Sequence, residues 1–383
     1  RAEHALLVAA GDFAGLARTR LAPMLSDLEA LRAHPDIAVI EGPVEPRPAQ
    51  LAFEREGELP PVRALTRRVP HDWWVYSFTQ LAHADAGHDT DAAATEVPAP
   101  AADEPAGVDL TLETEQPAVP LEEIDPRFMG SRFGNVLHDA LENTDFAQWG
   151  GWQAGQPAPG EEADILRASL RAEGYAEEDL DDGVAMLTAL VGQTLTVPLP
   201  EGGALHDLPA EARRAEIEFH FAMQPTAVPA LLTLLHAHGL VRDRHGFGTR
   251  RRLEGLMTGK IDLTYVRAER WYVLDYKSNR LPGYDAARLA SAMQHSEYDL
   301  QALIYTVALH RWLRFRLGAQ YDYTRDMGGI RYLFCRGLDA RHEDSPGLYA
   351  HRFDPALVDA LDALFAGGEH AQARMAARAR GEA

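Results

Sequence analysis

Two apolar runs, "LMTGKIDLTYV" and "WYVLDYK", flank the polar stretch Arg267-Ala268-Glu269-Arg270, and this arrangement constrains the fold more than any other feature. Both runs are rich in β-branched and aromatic residues, and a short polar loop between such runs closes them into an antiparallel hairpin. With 267–270 as the turn, Val266 faces Trp271, and counting back sets Asp262 opposite Asp275. Residues two apart on a strand share a face, so Asp275 and Lys277 project side by side, together with Trp271 and Val273.

Directly opposed Cβ atoms lie roughly 5 Å apart, and like charges placed so destabilise the pairing. Two carboxylates on a partly buried face require a cation, and oxygen donors without cysteine suit a hard one such as Mg²⁺. The same register brings Lys260 near Lys277 as a partial compensation. These are the only two lysines in 383 residues; the other 35 of the 37 basic residues are arginine. Arginine is a broad fork that stays charged, whereas lysine is a compact cation whose proton affinity can be moved. Beside a scissile phosphate, a lysine can orient a nucleophile or stabilise developing charge. The plain alternative for an isolated D-x-K tripeptide is a solvated ion pair at a strand end. The scarcity of lysine and the upstream Asp262 favour chemistry. Gly255 to Ile261 has the wrong spacing for a phosphate loop and no Ser or Thr after its lysine, so no nucleotide site is expected.

The flanking elements follow from periodicity. "SRFGNVLHDALENTDF" and the stretches near 161–172 and 178–193 predict helices. "RAEIEFHFAM" alternates, with Ala215, Ile217, Phe219 and Phe221 on one face and Glu216, Glu218 and His220 on the other, which predicts a half-buried strand. One long helix is expected from Asp285, its N-cap, to Leu317. "GIRYLFCRG" predicts a further strand and residues 354–380 a closing helix. Together these give a mixed α/β core of a central sheet flanked by helices, over residues 127–383.

Upstream, residues 1–40 read as the helical end of a preceding domain, and 41–126 as a linker. Within the linker, "DWWVYSFTQL" (72–81) reads as a docking segment, and 82–126 as an Ala/Pro-rich acidic tether too poor in large apolar side chains to order itself. Residues 69–126 contain no lysine or arginine, so much of the net charge of −21 belongs to the linker rather than to the globular part. A single cysteine, Cys335, excludes an internal disulfide and a four-cysteine iron–sulfur or zinc site, and fits a reducing cytoplasm. No apolar run approaches the ~18 residues that span a bilayer, so no membrane partner is expected. The opening Arg1 suggests a piece of a longer chain.

Five blocks, "GNVLHDALE", "GKIDL", "LDYKSN", "YDLQALIYTVALHRWL" and "GGIRYLFCRGLD", resemble the PD-(D/E)XK nuclease superfamily. More narrowly, they are similar to the C-terminal nuclease domain of exodeoxyribonuclease V beta subunits. The resemblance implies a restriction-endonuclease-like core. It also implies one or two Mg²⁺ ions held by His138, Asp262, Asp275 and the Tyr276 carbonyl, with Lys277 as the catalytic lysine. Gln301 and Tyr305 match a Q-x-x-x-Y element and stand on one helix face, where they contact the DNA backbone or brace the site. Glu216 or Glu218 is a further carboxylate near the site, or both lie on a solvated strand face.

The implied activity is that of a Mg²⁺-dependent exonuclease and endonuclease of a RecBCD-type helicase–nuclease, acting on single DNA strands in double-strand-break repair and degradation of linear DNA. Its implied partners are DNA, a helicase portion of the same chain, the gamma and alpha subunits, and the RecA recombinase. Arg250, Arg251 and Arg252, with Arg314 among interleaved aromatics, are candidate DNA contacts. The rival is a nuclease-fold scaffold that binds DNA and partner subunits without catalysis; loss of His138, either aspartate or Lys277 would favour it, and all four are present. A zinc hydrolase is excluded because no H-E-x-x-H pair occurs.

Overall fold

The computed structural model describes residues 28–35, 73–83 and 125–367. The chain divides into two units, Arg1–Arg68 and Val69–Ala383. In the first, α1 (Leu28–Ala33) carries an Arg32–Glu29 ion pair of 3.0 Å. The rest of the expected helical stretch 1–40, the linker 41–72 and the tether over 84–124 lie outside the described residues.

The second unit opens with β1 (Trp74–Tyr76) and α2 (Phe78–His83), followed by α3 (Gly130–Asn143), α4 (Glu162–Ala172) and α5 (Leu180–Thr196). Then come β2 (Arg213–Ala227), α6 (Val228–Ala237), β3 (Arg252–Arg267) and β4 (Arg270–Lys277). The chain continues through α7 (Ala286–His295), α8 (Tyr298–Leu317), α9 (Tyr323–Asp326), β5 (Met327–Phe334), β6 (Leu348–His351) and α10 (Pro355–Phe365). No helix among the described residues is long and apolar enough to cross a membrane.

The hairpin has the expected register, with Val266 opposite Trp271, but a tighter turn. Arg267 pairs with Arg270, so the loop is Ala268-Glu269 rather than four residues, and both adopt left-handed backbone (φ 49° and 60°). Two successive left-handed residues match the right-handed twist of a two-residue hairpin.

The strands form one mixed sheet in the order β1-β3-β4-β5-β6, with β2 also on β3. β2 runs antiparallel along nearly the whole of β3, from Arg213/Tyr265 to Ala227/Arg252. The other edge of β3 is shared. β1 lies parallel on Gly255–Met257, and β4 lies antiparallel on Leu263–Arg267. Between them, residues 258–262 carry no strand on that edge, and the sheet forks. The other edge of β4 pairs in parallel with β5, from Trp271/Met327 to Lys277/Phe334, so beyond Leu274 β4 departs from β3 while staying on β5.

Each face has its own core. Leu137, Leu166, Leu187, Val191 and Leu274 pack α3, α4 and α5 on one side, while Leu235, Leu303, Val307, Val273 and Leu361 pack α6, α8 and α10 on the other. The docking segment contributes Tyr76, Phe78 and Leu81 to the second core. Gly255 lets β1 approach: its φ is 149°, and a Cβ there would lie 1.8 Å from the Trp74 carbonyl oxygen.

One expectation fails at residue 297. Asp285 caps α7, accepting from the N–H groups of Ala287 and Arg288, but the predicted single helix breaks at Ser296-Glu297. Glu297 is left-handed (φ 52°), and its carboxylate holds the Arg244 guanidinium through contacts of 2.6 and 2.7 Å. A charge-assisted bidentate pair offsets the cost of that backbone conformation.

Candidate active site

Asp262 stands where the β3–β4 ladder ends. The last paired residues are Leu263 and Leu274, and one step further the Asp262 carboxylate accepts the Tyr276 N–H at 2.8 Å. A side chain thus replaces a ladder bond at the fork. α3 supplies His138, whose Nδ1 lies 3.4 Å from the same carboxylate oxygen. The helix presents Phe133, Val136, Leu137, Ala140 and Leu141 to the core, leaving His138 at the margin of that stripe. Burial pushes the Asp262 carboxyl up, but His138, Lys277 and the Tyr276 N–H together outweigh it and hold the group below the usual carboxylate range.

Asp275 and Lys277 project from β4 to the same face as expected, and Nζ lies 2.8 Å from Oδ2 with both side chains wholly enclosed. Burying two charges is costly unless further partners satisfy them. Here the Lys277 ammonium also stands 4.2 Å from the Tyr298 ring centre and 5.6 Å from that of Tyr332, within range of cation–π attraction. Tyr332 in turn donates to Gln301 Oε1 at 2.9 Å, and Gln301 Nε2 donates to the Tyr305 hydroxyl at 3.1 Å. Gln301 and Tyr305 are buried. They are placed to brace the lysine pocket rather than to lie along a DNA backbone. Tyr298 and Tyr332 were missed in the sequence. Tyr298 is one turn before Gln301, so the helix spacing that paired Gln301 with Tyr305 already pointed to it.

One expectation about charge is corrected. Lys260 does not join Lys277 in compensating Asp262 and Asp275; it is ion-paired with Glu216 and half exposed. Glu218, the other carboxylate considered, is exposed and opposite Lys260 on the ladder. Glu216 adopts left-handed backbone (φ 53°) and lines a small cavity with His138, Glu142, Asp262 and Tyr276.

The donors have the chemistry of a hard divalent cation site: two enclosed carboxylates and an imidazole. Among the described residues, however, no three His, Cys, Asp or Glu side chains gather as a ready cage. Asp275 is engaged by Lys277, and Asp262 by His138 and the Tyr276 peptide, so the protein's own groups stand against both carboxylates. The Tyr276 peptide is fixed at the fork by that hydrogen bond, and burial holds its phenol well above the usual range.

The proposed DNA contacts separate. The Arg250 guanidinium lies 4.4 Å from the Trp74 ring centre and donates to the Tyr76 hydroxyl at 3.3 Å, so it secures β1. Arg251 and Arg252 are exposed. Arg314 pairs with Asp362 at 2.8 Å. α8 runs antiparallel to β4, with Tyr298 at Lys277 and Trp312 against Trp271 at 5.2 Å. Fourteen helical residues span ~21 Å, so Arg314 and the exposed Trp312 and Phe315 lie at the far end of the sheet from the lysine.

A forked mixed sheet with an aspartate on each arm, a lysine two residues after the second, and an imidazole delivered from a flanking helix defines a nuclease-type α/β domain. The chain belongs to the PD-(D/E)XK nuclease superfamily, whose family model matches residues 111–379. That match begins inside the acidic stretch, before Arg127. The chain is 34% identical over 244 residues to the RecBCD enzyme subunit RecB of Escherichia coli K12, covering 62% of this chain and 19% of that protein. It is equally similar to RecB of Haemophilus influenzae, 34% over 244 residues, covering 62% and 18%. RecB of Mycobacterium tuberculosis CDC 1551 is 46% identical over 93 residues, 22% of this chain and 8% of the relative. The chain thus spans about a fifth of the length of the first two relatives.

Proposed function

We propose that this chain is the metal-dependent deoxyribonuclease part of a RecBCD-type helicase–nuclease, hydrolysing phosphodiester bonds of single DNA strands with Mg²⁺ as the cation. The observation that carries the reading is the enclosed Asp275–Lys277 pair on one arm of the fork beside Asp262 on the other, which His138 meets from α3. Asp262, Asp275 and His138, with the Tyr276 carbonyl, would hold the ion. When bound, it supplies charge neutralisation at a non-bridging phosphate oxygen and a more acidic water.

The protein's own groups do the rest. Lys277 projects from the same face as Asp275, where its ammonium would meet negative charge growing on phosphorus oxygens. Tyr298 and Tyr332 confine that ammonium to one position, so little reorganisation is needed during the reaction. Gln301 and Tyr305 fix Tyr332. Similarity to the RecBCD enzyme subunit RecB supports a RecBCD-type assembly; we extend this to a helicase portion of the same chain, gamma and alpha subunits, the RecA recombinase and a role in double-strand-break repair.

Labelled linear and circular single-stranded DNA, each with and without Mg²⁺, tests the reading. Mg²⁺-dependent loss of linear strands is expected for exonuclease action, and nicking of circles adds endonuclease action. Binding of both substrates without cleavage of either would point to a scaffold.

A further inference from the structure

We propose that Arg244 is a positioning residue, which ties the docked segment 73–83 to the first turn of α8 and thereby fixes Tyr298 against Lys277. The inference rests on the reading of Lys277 as the working lysine. Arg244 reaches the site through Glu297 and Tyr298. Its side chain is only 4% exposed, and it reaches in two directions. Nη1 donates to the Leu81 carbonyl at 3.0 Å and to the Gly246 carbonyl at 3.2 Å. Nε and Nη2 donate to the two carboxylate oxygens of Glu297.

Glu297 is the left-handed residue at which α7 and α8 separate. Its carbonyl accepts the N–H groups of Leu300 and Gln301, so it sets the start of α8. The next residue, Tyr298, lies against the Lys277 ammonium and donates to Asn279 Oδ1 at 3.1 Å. The Glu297 backbone also donates to the Gln294 carbonyl at 3.2 Å, but its side chain is held by the Arg244 fork, and without that fork the helix would run on as the sequence predicts. That would rotate Tyr298 and Gln301 relative to β4.

The other end of the link is secured independently. Tyr76, Phe78 and Leu81 are buried, β1 pairs with Gly255–Met257, and Arg250 stacks on Trp74. Segment 73–83 lies far upstream in sequence, yet it is joined to the lysine through Leu81, Arg244, Glu297 and Tyr298. A lysine at 244 could meet a carboxylate or a carbonyl but could not bridge both with a planar fork.

The test uses the full chain, with amide hydrogen exchange and steady-state cleavage of single-stranded DNA in Mg²⁺ for Arg244→Ala, Arg244→Lys and Glu297→Gln. In Arg244→Ala, protection is expected to fall together in 73–83 and in the first turn of α8, with kcat reduced on the order of 10-fold and KM unchanged. Arg244→Lys is expected to rescue neither. Glu297→Gln leaves the Arg244 hydrogen bond to the Leu81 carbonyl in place, so 73–83 should stay protected while kcat falls equally; this variant decides the matter if Arg244→Ala does not fold. Loss of protection in 73–83 with α8 and kcat unchanged would overturn the inference, as would full rescue by lysine. A wild-type chain without cleavage would refute the nuclease reading, while the exchange data would still establish or refute the link.

Discussion

The Asp262 carboxylate accepts the Tyr276 N–H at 2.8 Å where the β3–β4 ladder stops, so one acidic side chain both closes the fork and faces His138. Asp262→Asn retains an acceptor oxygen for that N–H but removes the charge. Cleavage is expected to fall at least about 100-fold, the upper range seen for weakening a metal site's support, with a thermal midpoint within a few degrees of wild type. Parallel activity and melting measurements check this.

Asp275 behaves differently because its partner is wholly enclosed. Asp275→Ala leaves the Lys277 ammonium without its carboxylate in the core, and a loss of about 3–5 kcal/mol of stability is expected alongside loss of activity. Denaturant unfolding of the two aspartate variants separates the effects. Equal stability loss in both would contradict the distinct roles.

The two lysines should also separate. Lys260 is half exposed and paired with Glu216, and Lys260→Ala is expected to cost no more than about 1 kcal/mol. Lys277→Arg keeps the charge but forces a larger planar group between Tyr298 and Tyr332. About 1–3 kcal/mol of stability and most of the activity are expected to be lost.

Burial raises the Asp299 carboxyl to about 6, against hydrogen bonds from Val241 and Leu300 that favour its charged form. An acid with a raised folded pKa keeps its proton in the native state after the unfolded chain has lost it. Stability therefore falls as pH rises from about 4 to about 6, by roughly 3 kcal/mol for a shift of this size. Asp299→Asn is expected to gain on wild type across that window. Chemical denaturation at pH 4 and pH 6.5 measures it, and parallel pH profiles would contradict it.

Much of this site was legible in the sequence because it is local. The hairpin register placed Val266 opposite Trp271, and strand alternation placed Asp275 beside Lys277. What the sequence could not give depends on distant partners. The break before α8 is held by Arg244, 53 residues from Glu297, and no helical period encodes it. Arg250 reads as a DNA contact until Trp74 and Tyr76 dock on it across more than 170 residues. The partner of Lys260 turned on the left-handed backbone of Glu216, which alternation alone hides.

The most direct measurement is single-turnover cleavage of end-labelled single-stranded DNA by the purified chain, first with chelator, then with Mg²⁺ restored, beside Asp262→Asn. Cleavage abolished by chelator, restored by Mg²⁺ and absent from a folded Asp262→Asn protein is the expected result. Cleavage that persists in chelator, or in the variant at the wild-type rate, would contradict the assignment of the fork as the catalytic centre.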